Sequence, residues 1–318
     1  MLTVQKFGGS SVADAGRIRH VADIIAEARA SGSDVVAVLS AAGDTTDELS
    51  FRAAEISEAP VPRELDVLLS TGELQSVALM SMQLEKLGVP AVSLSGRQAG
   101  ILTDENYGSA RILNIKAKRI RDELSRGRVV LVAGFQGIDS GNNVTTLGRG
   151  GSDTTAVALA AALKADKCEI YSDVDGIYTA DPRLVTGAKK LGEIDFSDML
   201  RLAKGGSQVM HSRAVEIAME HNMEVLMLSS FVKAAGTYMH HLKQRPALCG
   251  ITRDKGENRI SLVGREAGIA RLSEAVSVLA ENGIEVLTAE THRDVCSVTT
   301  EARFVLPALQ ILHRHFFG

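Results

Sequence analysis

Residues 129–171 contain the pattern that decides the fold. They begin with a continuous apolar strand, VVLVAGF at Val129–Phe135, and end with a short strand, KCEIY at Lys167–Tyr171. Between these strands lie a glycine-rich turn, GRGGSDTT at Gly148–Thr155, and an alanine-rich helix, SDTTAVALAAAL at Ser152–Leu163. Strands that are apolar throughout and alternate with helices are typical of a parallel sheet with both faces covered. The stretch therefore predicts an α/β fold with a mainly parallel central sheet.

The same alternation extends over roughly the first 240 residues. Towards the N-terminus, Leu2–Phe7 and Asp34–Ser40 are predicted strands, and the stretch between them carries apolar residues at helical spacing (Ile18, Val21, Ile24 and Ile25). The remaining predicted elements are helix Leu65–Leu87, strand Val89–Leu94 and helix Ile112–Arg126.

The units become shorter after Gly236–Arg259. The elements predicted there are strand Arg259–Val263, helix Ile269–Asn282, strands Glu285–Ala289 and Val295–Thr299, and helix Leu306–Phe316. This β-α-β-β-α order is similar to a small ferredoxin-like module. The predicted domains are therefore residues 1–245 and residues 246–318.

Composition excludes several classes of protein. A chain of 318 residues with 45% hydrophobic and 23% charged residues can bury a sizeable core, so intrinsic disorder is not expected. A net charge of −4 indicates neither a nucleic-acid partner nor an anionic membrane surface. Cys168, Cys249 and Cys296 are too far apart for a disulfide framework or a zinc site, which suits a reducing cytoplasm. No apolar run reaches the roughly 18 residues of a spanning helix, and the start of the chain lacks the pattern of a secretory signal.

Two glycine-rich turns stand where a strand passes into a helix. One is Lys6-Phe7-Gly8-Gly9-Ser10-Ser11 and the other is Gly148–Thr155. Such turns expose backbone N–H groups at a helix N-terminus, where an anion is favoured. Either turn alone could be a plain tight turn with Ser or Asp as its N-cap. Together, one with Lys and the other with Arg and Asp, they favour a polyphosphate site, although neither fits the GxxxxGK[ST] or GxGxxG template.

A third polar cluster, SDVDGIYTADPR at Ser172–Arg183, follows a strand. It lies at the carboxyl edge, where open α/β sheets bind ligands. Tyr178 could cover a nucleotide base and Arg183 could meet a phosphate. Alternatively, the cluster is a solvated loop with an Asp-Gly turn and an Asp-Pro stop.

Five motifs in order resemble those of the aspartate kinases of the amino-acid-kinase superfamily. They are KFGGSSV, SAAGDTTDEL, STGEL, TTLGRGGSDTTAVALAAAL and SDVDGIYTADPR, beginning at Lys6, Ser40, Ser70, Thr145 and Ser172. The resemblance covers residues 1–240 and continues into a part similar to an ACT module. There ALCGITR at Ala247–Arg253 resembles the strand that enters the family's regulatory region, which implies one ββαββα unit over Ala247–Phe317. It implies a three-layer α/β/α fold and ATP-dependent phosphorylation of the β-carboxylate of L-aspartate, the entry to lysine, threonine and methionine synthesis.

The resemblance also implies roles for individual residues. The expected catalytic residues are Lys6, Arg149 and Asp153. Lys6 would contact the transferring phosphoryl group, and Arg149 would bind the substrate carboxylate. Asp153 would orient the cationic groups. Glu73 receives the ammonium group of the substrate. The implied substrate-binding set is Thr46, Glu73, Arg149, Gly150, Gly151 and Ser152. The implied nucleotide-binding set is Lys6, Phe7, Gly8, Gly9, Ser10, Ser40, Ser172, Asp173, Tyr178, Asp181 and Arg183.

This chemistry needs neither a general base nor a dedicated metal cage. An aspartate carboxylate is already ionised at neutral pH, since its unperturbed pKa is about 3.9. The obstacle is repulsion between two anions, which Lys6, Arg149, helix N-termini and Mg²⁺ would neutralise. The Mg²⁺ ion is expected to be held mainly by phosphate oxygens and water.

Two departures from the family pattern affect regulation and activity. Gln208 stands where many relatives have a lysine that reaches the nucleotide, and Lys204 is an alternative cation. The chain has room for one ACT module where relatives usually carry two, and the Pro-Gly that shapes an effector pocket is missing. We therefore expect weak feedback by lysine or threonine, and a module that forms a homodimer or higher oligomer. Two alternatives stay open, namely a non-catalytic sensing or scaffold subunit and a kinase for a related acyl acceptor.

Overall fold

The computed structural model describes residues 1–207, 209–254 and 256–318, so the predicted role of Gln208 lies outside the described residues. The chain divides into two compact units. The first unit consists of Met1–Asp175 and Met223–Ala234, and the second of Gly176–Asn222 and Ala235–Gly318.

The bounds of the strands and helices are as follows. The strands are β1 Leu2–Phe7, β2 Asp34–Leu39, β3 Ala91–Leu94, β4 Ile101–Thr103, β5 Ile112–Ile115, β6 Val129–Ala133, β7 Gln136–Ile138, β8 Val144–Thr146, β9 Lys167–Ser172, β10 Glu193–Asp195, β11 Val225–Ser229, β12 Thr237–His240, β13 Gly250–Asp254, β14 Arg259–Val263, β15 Thr288–His292 and β16 Val295–Thr299. The helices are α1 Ala15–Ala30, α2 Thr45–Ile56, α3 Pro62–Lys86, α4 Lys118–Leu124, α5 Gly151–Leu163, α6 Phe196–Lys204, α7 Ser212–Glu220, α8 Ile269–Glu281 and α9 Val305–Phe317, with 3₁₀ turns at Gly9–Val12 and Ala302–Phe304.

A parallel sheet forms the centre of the first unit. Its strands lie in the order β11-β9-β1-β2-β6-β3, and every neighbouring pair is parallel. Val4 lies opposite Val36 and Cys168, and Val36 lies opposite Val130. These side chains are buried because helices cover both faces of the sheet. The predicted α/β fold with a mainly parallel sheet is confirmed.

The two faces of this sheet hold different helices. Val35, Ala37 and Leu39 point into one core together with residues of α1 and α3. Since neighbouring side chains alternate between faces, Val38 points to the other side, where α5 packs. Gly134 permits this close packing, because a Cβ there would lie 2.7 Å from Ser152 Oγ and 3.0 Å from Val38 Cγ1. The small residues of α5 are buried along almost its whole length, which explains its alanine-rich sequence.

A small second sheet, β5-β4-β7-β8, extends the first unit and corrects one prediction. The helix predicted over Ile112–Arg126 is wrong in its first part, where β5 precedes the short helix α4. β5 pairs antiparallel with β4, and the Lys116 N–H donates to Gly100 O at 2.8 Å. Pairing with a distant strand therefore overrides the local helical pattern.

Other predicted elements differ from the structure by smaller amounts. Helix α3 and strand β9 lie where they were predicted, with ends moved by one to three residues. The strand predicted at Glu285–Ala289 is wrong in position, because β15 begins at Thr288, which pairs with Thr299 of β16. Helix α2 was not predicted.

The second unit contains the predicted ββαββα order, from β13 to α9. Its antiparallel sheet has the order β13-β14-β16-β15 and packs against α8 and α9. The same unit contains the parallel pair of β10 and β12 and the helices α6 and α7. The domain boundary at residue 245 and the likeness of this part to an ACT module stay predictions.

The three cysteines are free and buried. Burial raises the pKa of the Cys296 thiol to about 11 and holds the pKa values of Cys168 and Cys249 well above their ordinary range. Among the described residues, no helix combines the length and the apolar character needed to cross a membrane.

Candidate active site

Three of the predicted loops meet at the carboxyl edge of the parallel sheet in the first unit. The Ser40 N–H donates to Phe7 O at 3.1 Å, and the Gly43 N–H donates to Gly9 O at 3.0 Å. On the other side of β1, the Gly8 N–H donates to Tyr171 O at 3.3 Å. The ends of β1, β2 and β9 are therefore fixed to one another by backbone hydrogen bonds.

Gly9 and Gly72 allow the loop after β2 to sit between β1 and α3. A Cβ on Gly9 would lie 2.8 Å from Ala41 O, and a Cβ on Gly72 would lie 2.8 Å from Ala41 Cβ. Neither glycine has a positive φ angle, so close approach of backbone, rather than backbone conformation, requires glycine here. Any larger residue would push the KFGG and STGE motifs apart.

Lys6 and Asp153 form the central ion pair of the site. Lys6 Nζ lies 2.7 Å from Asp153 Oδ1, and each residue is 9% exposed. The angles at these two atoms fall outside hydrogen-bond geometry, and no other donor within the described residues reaches Oδ1. Asp153 lies in the first turn of α5, where the helix dipole favours negative charge. The structure thus brings a buried cation to the N-terminus of a helix, a place suited to phosphate oxygens.

Glu73 is a buried carboxylate beside the loop that follows β2. It is 3% exposed, and its Oε1 accepts a hydrogen bond of 3.2 Å from the Ala41 N–H. Its Oε2 is also buried, and no donor among the described residues reaches it. Burial raises the pKa of Glu73 to about 8, because an ionised carboxylate is poorly solvated there. A bound ammonium group would supply the missing partner and favour the charged form.

Arg149 lies in the turn that leads into α5. The flanking Gly148 and Gly150 have φ angles of 73° and 68°, in the left-handed region that favours glycine. Arg149 is exposed, and it makes no ion pair with the residues that the structure describes. Ser152, by contrast, is 8% exposed and packs against Gly134. The turn therefore presents a guanidinium group next to the start of α5.

Glu73 belongs to a line of polar residues on α3, of which the sequence reasoning missed Asp66 and Ser70. Asp66, Ser70 and Glu73 are spaced as i, i+4 and i+7, which places them on one face of the helix, and all three are buried. The Ser70 carbonyl accepts a hydrogen bond of 2.8 Å from Gln136 Nε2. Polar residues at the i, i+4 and i+7 spacing are the signal that could have identified Asp66 and Ser70.

Asp66 holds the strand that precedes the Arg149 turn. Its Oδ2 accepts hydrogen bonds from the Thr146 N–H at 2.7 Å and the Gly108 N–H at 3.0 Å. Its Oδ1 accepts one from the Thr146 hydroxyl at 2.7 Å. The single helix α3 therefore positions both Glu73 and the strand leading to Arg149.

The remaining sites in the first unit surround the end of β9. Ser172 O accepts a hydrogen bond of 3.0 Å from the Ser230 N–H, and the Ser230 hydroxyl lies 2.7 Å from that of Ser11. Ser10 and Asp173 are exposed at this edge, and Thr46 is half-buried in the first turn of α2. The sequence reasoning did not include Ser11 and Ser230, which join the segments that follow β1 and β11.

The other predicted nucleotide residues belong to the second unit. The Asp181 carboxylate accepts hydrogen bonds from the N–H, Nε and Nη2 of Arg183 at 3.0, 3.0 and 3.1 Å. Tyr178 forms an antiparallel bridge with Lys190. Lys204, the alternative nucleotide cation, lies 2.9 Å from Glu216 on α7.

Comparison with known proteins identifies the family. The model of the amino acid kinase family matches residues 1–229. The aspartokinase of Geobacillus stearothermophilus is 47% identical over 308 residues, which are 95% of this chain and 76% of that protein. The aspartokinase of Pseudomonas aeruginosa is 51% identical over 268 residues, covering 83% and 65%. The chain thus spans about two thirds to three quarters of the length of these curated relatives.

Solved structures agree with this result. Aspartate kinase from Synechocystis has a TM-score of 0.69 and 32% identity, and the match covers 99% of this chain and 69% of that one. E. coli aspartokinase III in complex with aspartate and ADP has a TM-score of 0.87 at 21% identity, with both chains covered completely, which shows the shared fold. The chain therefore belongs to the amino acid kinase family and, within it, to the aspartokinases.

Proposed function

We propose that this chain transfers the γ-phosphoryl group of ATP to the β-carboxylate of L-aspartate, which gives 4-phospho-L-aspartate and ADP. The observation that carries the proposal is the buried Lys6–Asp153 pair at the N-terminus of α5. Family membership and the aspartate and ADP bound to the E. coli neighbour support the choice of substrates. The reaction is the entry to lysine, threonine and methionine synthesis.

Phosphoryl transfer here is a problem of charge rather than of proton transfer. A carboxylate oxygen attacks the γ-phosphorus, the bond to the β,γ-bridging oxygen breaks, and ADP leaves with that bond's electrons. Both reactants are anions, so positioning and neutralisation supply the catalysis. Lys6 would contact the transferring group, and Asp153, whose Oδ1 lies 2.7 Å from Lys6 Nζ, would hold that ammonium group in position. The first N–H groups of α5 add further positive potential.

The α-ammonium and α-carboxylate groups of the substrate aspartate would be held by two residues of opposite charge. Glu73 Oε2, which is buried without a partner, would accept the substrate ammonium group. Arg149, which is exposed in its turn, would grip the α-carboxylate with two parallel hydrogen bonds. Thr46, Gly150, Gly151 and Ser152 would complete the substrate site.

The nucleotide would contact Phe7, Gly8, Gly9, Ser10, Ser40, Ser172, Asp173, Tyr178, Asp181 and Arg183. Mg²⁺ would be held mainly by phosphate oxygens and water, which is its usual arrangement in phosphoryl-transfer enzymes. Within residues 1–207, 209–254 and 256–318, no three His, Cys, Asp or Glu side chains form a possible metal cluster. A cytoplasmic location belongs to the same proposal.

Self-association through the C-terminal ββαββα unit is part of the proposal. β15 is an edge of the antiparallel sheet, and its residues Thr288–His292 are exposed along its whole length. An exposed edge strand is a template for pairing with a second chain. Light scattering should therefore report at least a dimer, and a monomer at micromolar concentration would contradict this part.

A hydroxamate assay tests the activity directly. Aspartyl phosphate reacts with hydroxylamine, so the assay compares L-aspartate, L-glutamate and no acceptor, each with and without ATP. We expect hydroxamate from L-aspartate and ATP, and its loss in Lys6→Ala. Lys118→Ala is the matched control, because Lys118 pairs with Asp122 on the exposed surface of α4. Folded wild type that yields no aspartyl hydroxamate would refute the proposal, and equal turnover of glutamate would refute the substrate.

A further inference from the structure

The segment that carries the predicted nucleotide residues is built into the core of the second unit. Ala180 and Val185 are 4% and 5% exposed and pack in one apolar cluster with Ile251 of β13 and Leu309 of α9. The nucleotide segment therefore takes its shape from the C-terminal elements against which it packs.

Thr179 is the polar centre of this contact. Its N–H donates to Lys189 O at 2.9 Å, and its Oγ1 accepts from the Lys189 N–H at 2.9 Å. Its carbonyl accepts a hydrogen bond of 2.7 Å from the Ile251 N–H, and its Oγ1 lies 2.9 Å from His313 Nε2. Each polar atom of Thr179 is therefore paired, and two of its partners come from β13 and α9.

His313 is held rigidly at this place. It is 2% exposed and stacks on the Phe317 ring, with 5.1 Å between ring centroids and 21° between planes. A hydroxyl has one proton and two lone pairs. Oγ1 can therefore accept the Lys189 N–H and still pair with His313 Nε2 in either tautomer of the ring. Among the residues that the structure describes, the side chain of His313 makes its hydrogen bond to Thr179.

We propose that His313 is a positioning residue for nucleotide binding, acting through the Thr179 hydroxyl on the segment between Tyr178 and Asp181. Tyr178 precedes Thr179 directly, and Asp181 follows it by two residues. The last helix of the chain thus contributes to the binding of an adenine nucleotide without touching it. The inference rests on the proposed function, because that proposal assigns Tyr178 and Asp181 to the nucleotide.

Four substitutions and one control test this inference in the full chain. His313→Leu and Thr179→Val remove the hydrogen bond, whereas His313→Gln and Thr179→Ser keep a group that can form it. The matched control is His315→Leu, since His315 lies on the same helix but pairs with Glu274 of α8 at 2.8 Å. We expect the KM for ATP and the Kd for Mg·ADP to rise about fivefold or more in the first two variants. The KM for aspartate should stay within twofold.

The double variant and the conservative variants separate positioning from general loss of stability. His313→Leu removes only the bond to Thr179, whereas Thr179→Val removes that bond together with the one from the Lys189 N–H, so the combined variant should bind Mg·ADP about as weakly as Thr179→Val alone. Thr179→Ser, His313→Gln and His315→Leu should bind Mg·ADP nearly as well as wild type. Equal Kd values in wild type and Thr179→Val would overturn the inference, as would equal rises in the KM values of both substrates.

Titration with Mg·ADP distinguishes a wrong role for His313 from a wrong proposed function. If wild type binds no Mg·ADP in a titration, the proposed function is refuted. If wild type binds Mg·ADP and Thr179→Val binds it equally well, only the positioning role of His313 is refuted. Should His313→Leu fail to fold, Thr179→Val decides the question, since valine keeps the shape of threonine.

Discussion

Replacing Glu73 with glutamine should stabilise the fold at neutral and alkaline pH while it removes the partner of the substrate ammonium group. Glu73 is 3% exposed, and burial raises its pKa to about 8 from an ordinary value of 4.5. Glutamine has nearly the same shape and keeps an oxygen that can accept the Ala41 N–H, but it carries no charge.

The sign and size of the effect follow from proton binding. In the unfolded chain the carboxyl group loses its proton near pH 4.5, whereas in the folded chain it keeps the proton up to about pH 8. Between these values the folded state binds more protons, so the free energy of unfolding of wild type falls as the pH rises. One pH unit corresponds to about 1.4 kcal/mol, which sets an upper limit of about 4 to 5 kcal/mol over the interval. The free energy of unfolding of wild type is therefore undiminished by Glu73 below pH 4.5, and it is reduced by the full amount above pH 8.

Urea unfolding followed by circular dichroism at intervals from pH 5 to pH 9 measures the effect. The free energy of unfolding of Glu73→Gln minus that of wild type should grow up to pH 8 and then level off. The matched control is Glu85→Gln on the same helix, because Glu85 also accepts a backbone N–H, from Ala91 at 2.9 Å, but is exposed to water. A difference for Glu73→Gln that does not change with pH would refute the reasoning.

Four further predictions concern activity. Lys6→Met should lower kcat by about 10²- to 10³-fold, because it removes a preorganised positive charge at the transferring group. Arg149→Lys should raise the KM for aspartate about tenfold, since an ammonium group cannot form the two-pronged contact. Asp66→Asn should cost about 1 kcal/mol of stability, because the amide oxygen that is left to accept the Thr146 and Gly108 N–H groups is a weaker acceptor than a carboxylate oxygen, and it should raise the KM for aspartate more than that for ATP. In wild type, the KM for aspartate should fall by up to about tenfold for each pH unit between pH 6 and pH 8. The reason is that, in the proposed mechanism, Glu73 must be ionised to bind the substrate ammonium group.

Steady-state kinetics with both substrates varied, together with urea unfolding for Asp66→Asn, would check these four predictions. Normal kcat in Lys6→Met would contradict the role of the buried cation. Unchanged KM for aspartate in Arg149→Lys would show that another group holds the α-carboxylate. Equal rises of both KM values in Asp66→Asn would mean that Asp66 supports the fold as a whole. A KM for aspartate that does not vary from pH 6 to pH 8 would exclude Glu73 as the ammonium partner.

Local pattern was sufficient for most of the parallel sheet. Strand β6 is buried at each of its five residues, and α5 consists of small residues between two strands, so both could be predicted from the chain alone. The pattern failed at Ile112–Ile115, where two of the four residues are exposed and the alternation is poor. Pairing with Ile101–Thr103 decides that strand, and no local signal reveals such a partner.

Sequence motifs identified some of the site residues, whereas others were identified only from contacts in the folded chain. Lys6, Glu73, Arg149 and Asp153 could be chosen from sequence, because glycine-rich turns and family motifs mark them. Asp66 could not be chosen in that way, because its role depends on the Thr146 and Gly108 donors, which are far away along the chain.

The sequence by itself determined the alternation of strands and helices, the two glycine-rich turns and the residues that carry charge. These properties depend on neighbours along the chain, namely on hydrophobic spacing and on backbone freedom. Only the tertiary structure decided which charges meet. It pairs Lys6 with Asp153, leaves Glu73 Oε2 buried without a partner, and ties Thr179 to His313. Desolvation and hydrogen bonding act between atoms that are close in space, so the pKa of Glu73 follows from the folded chain alone.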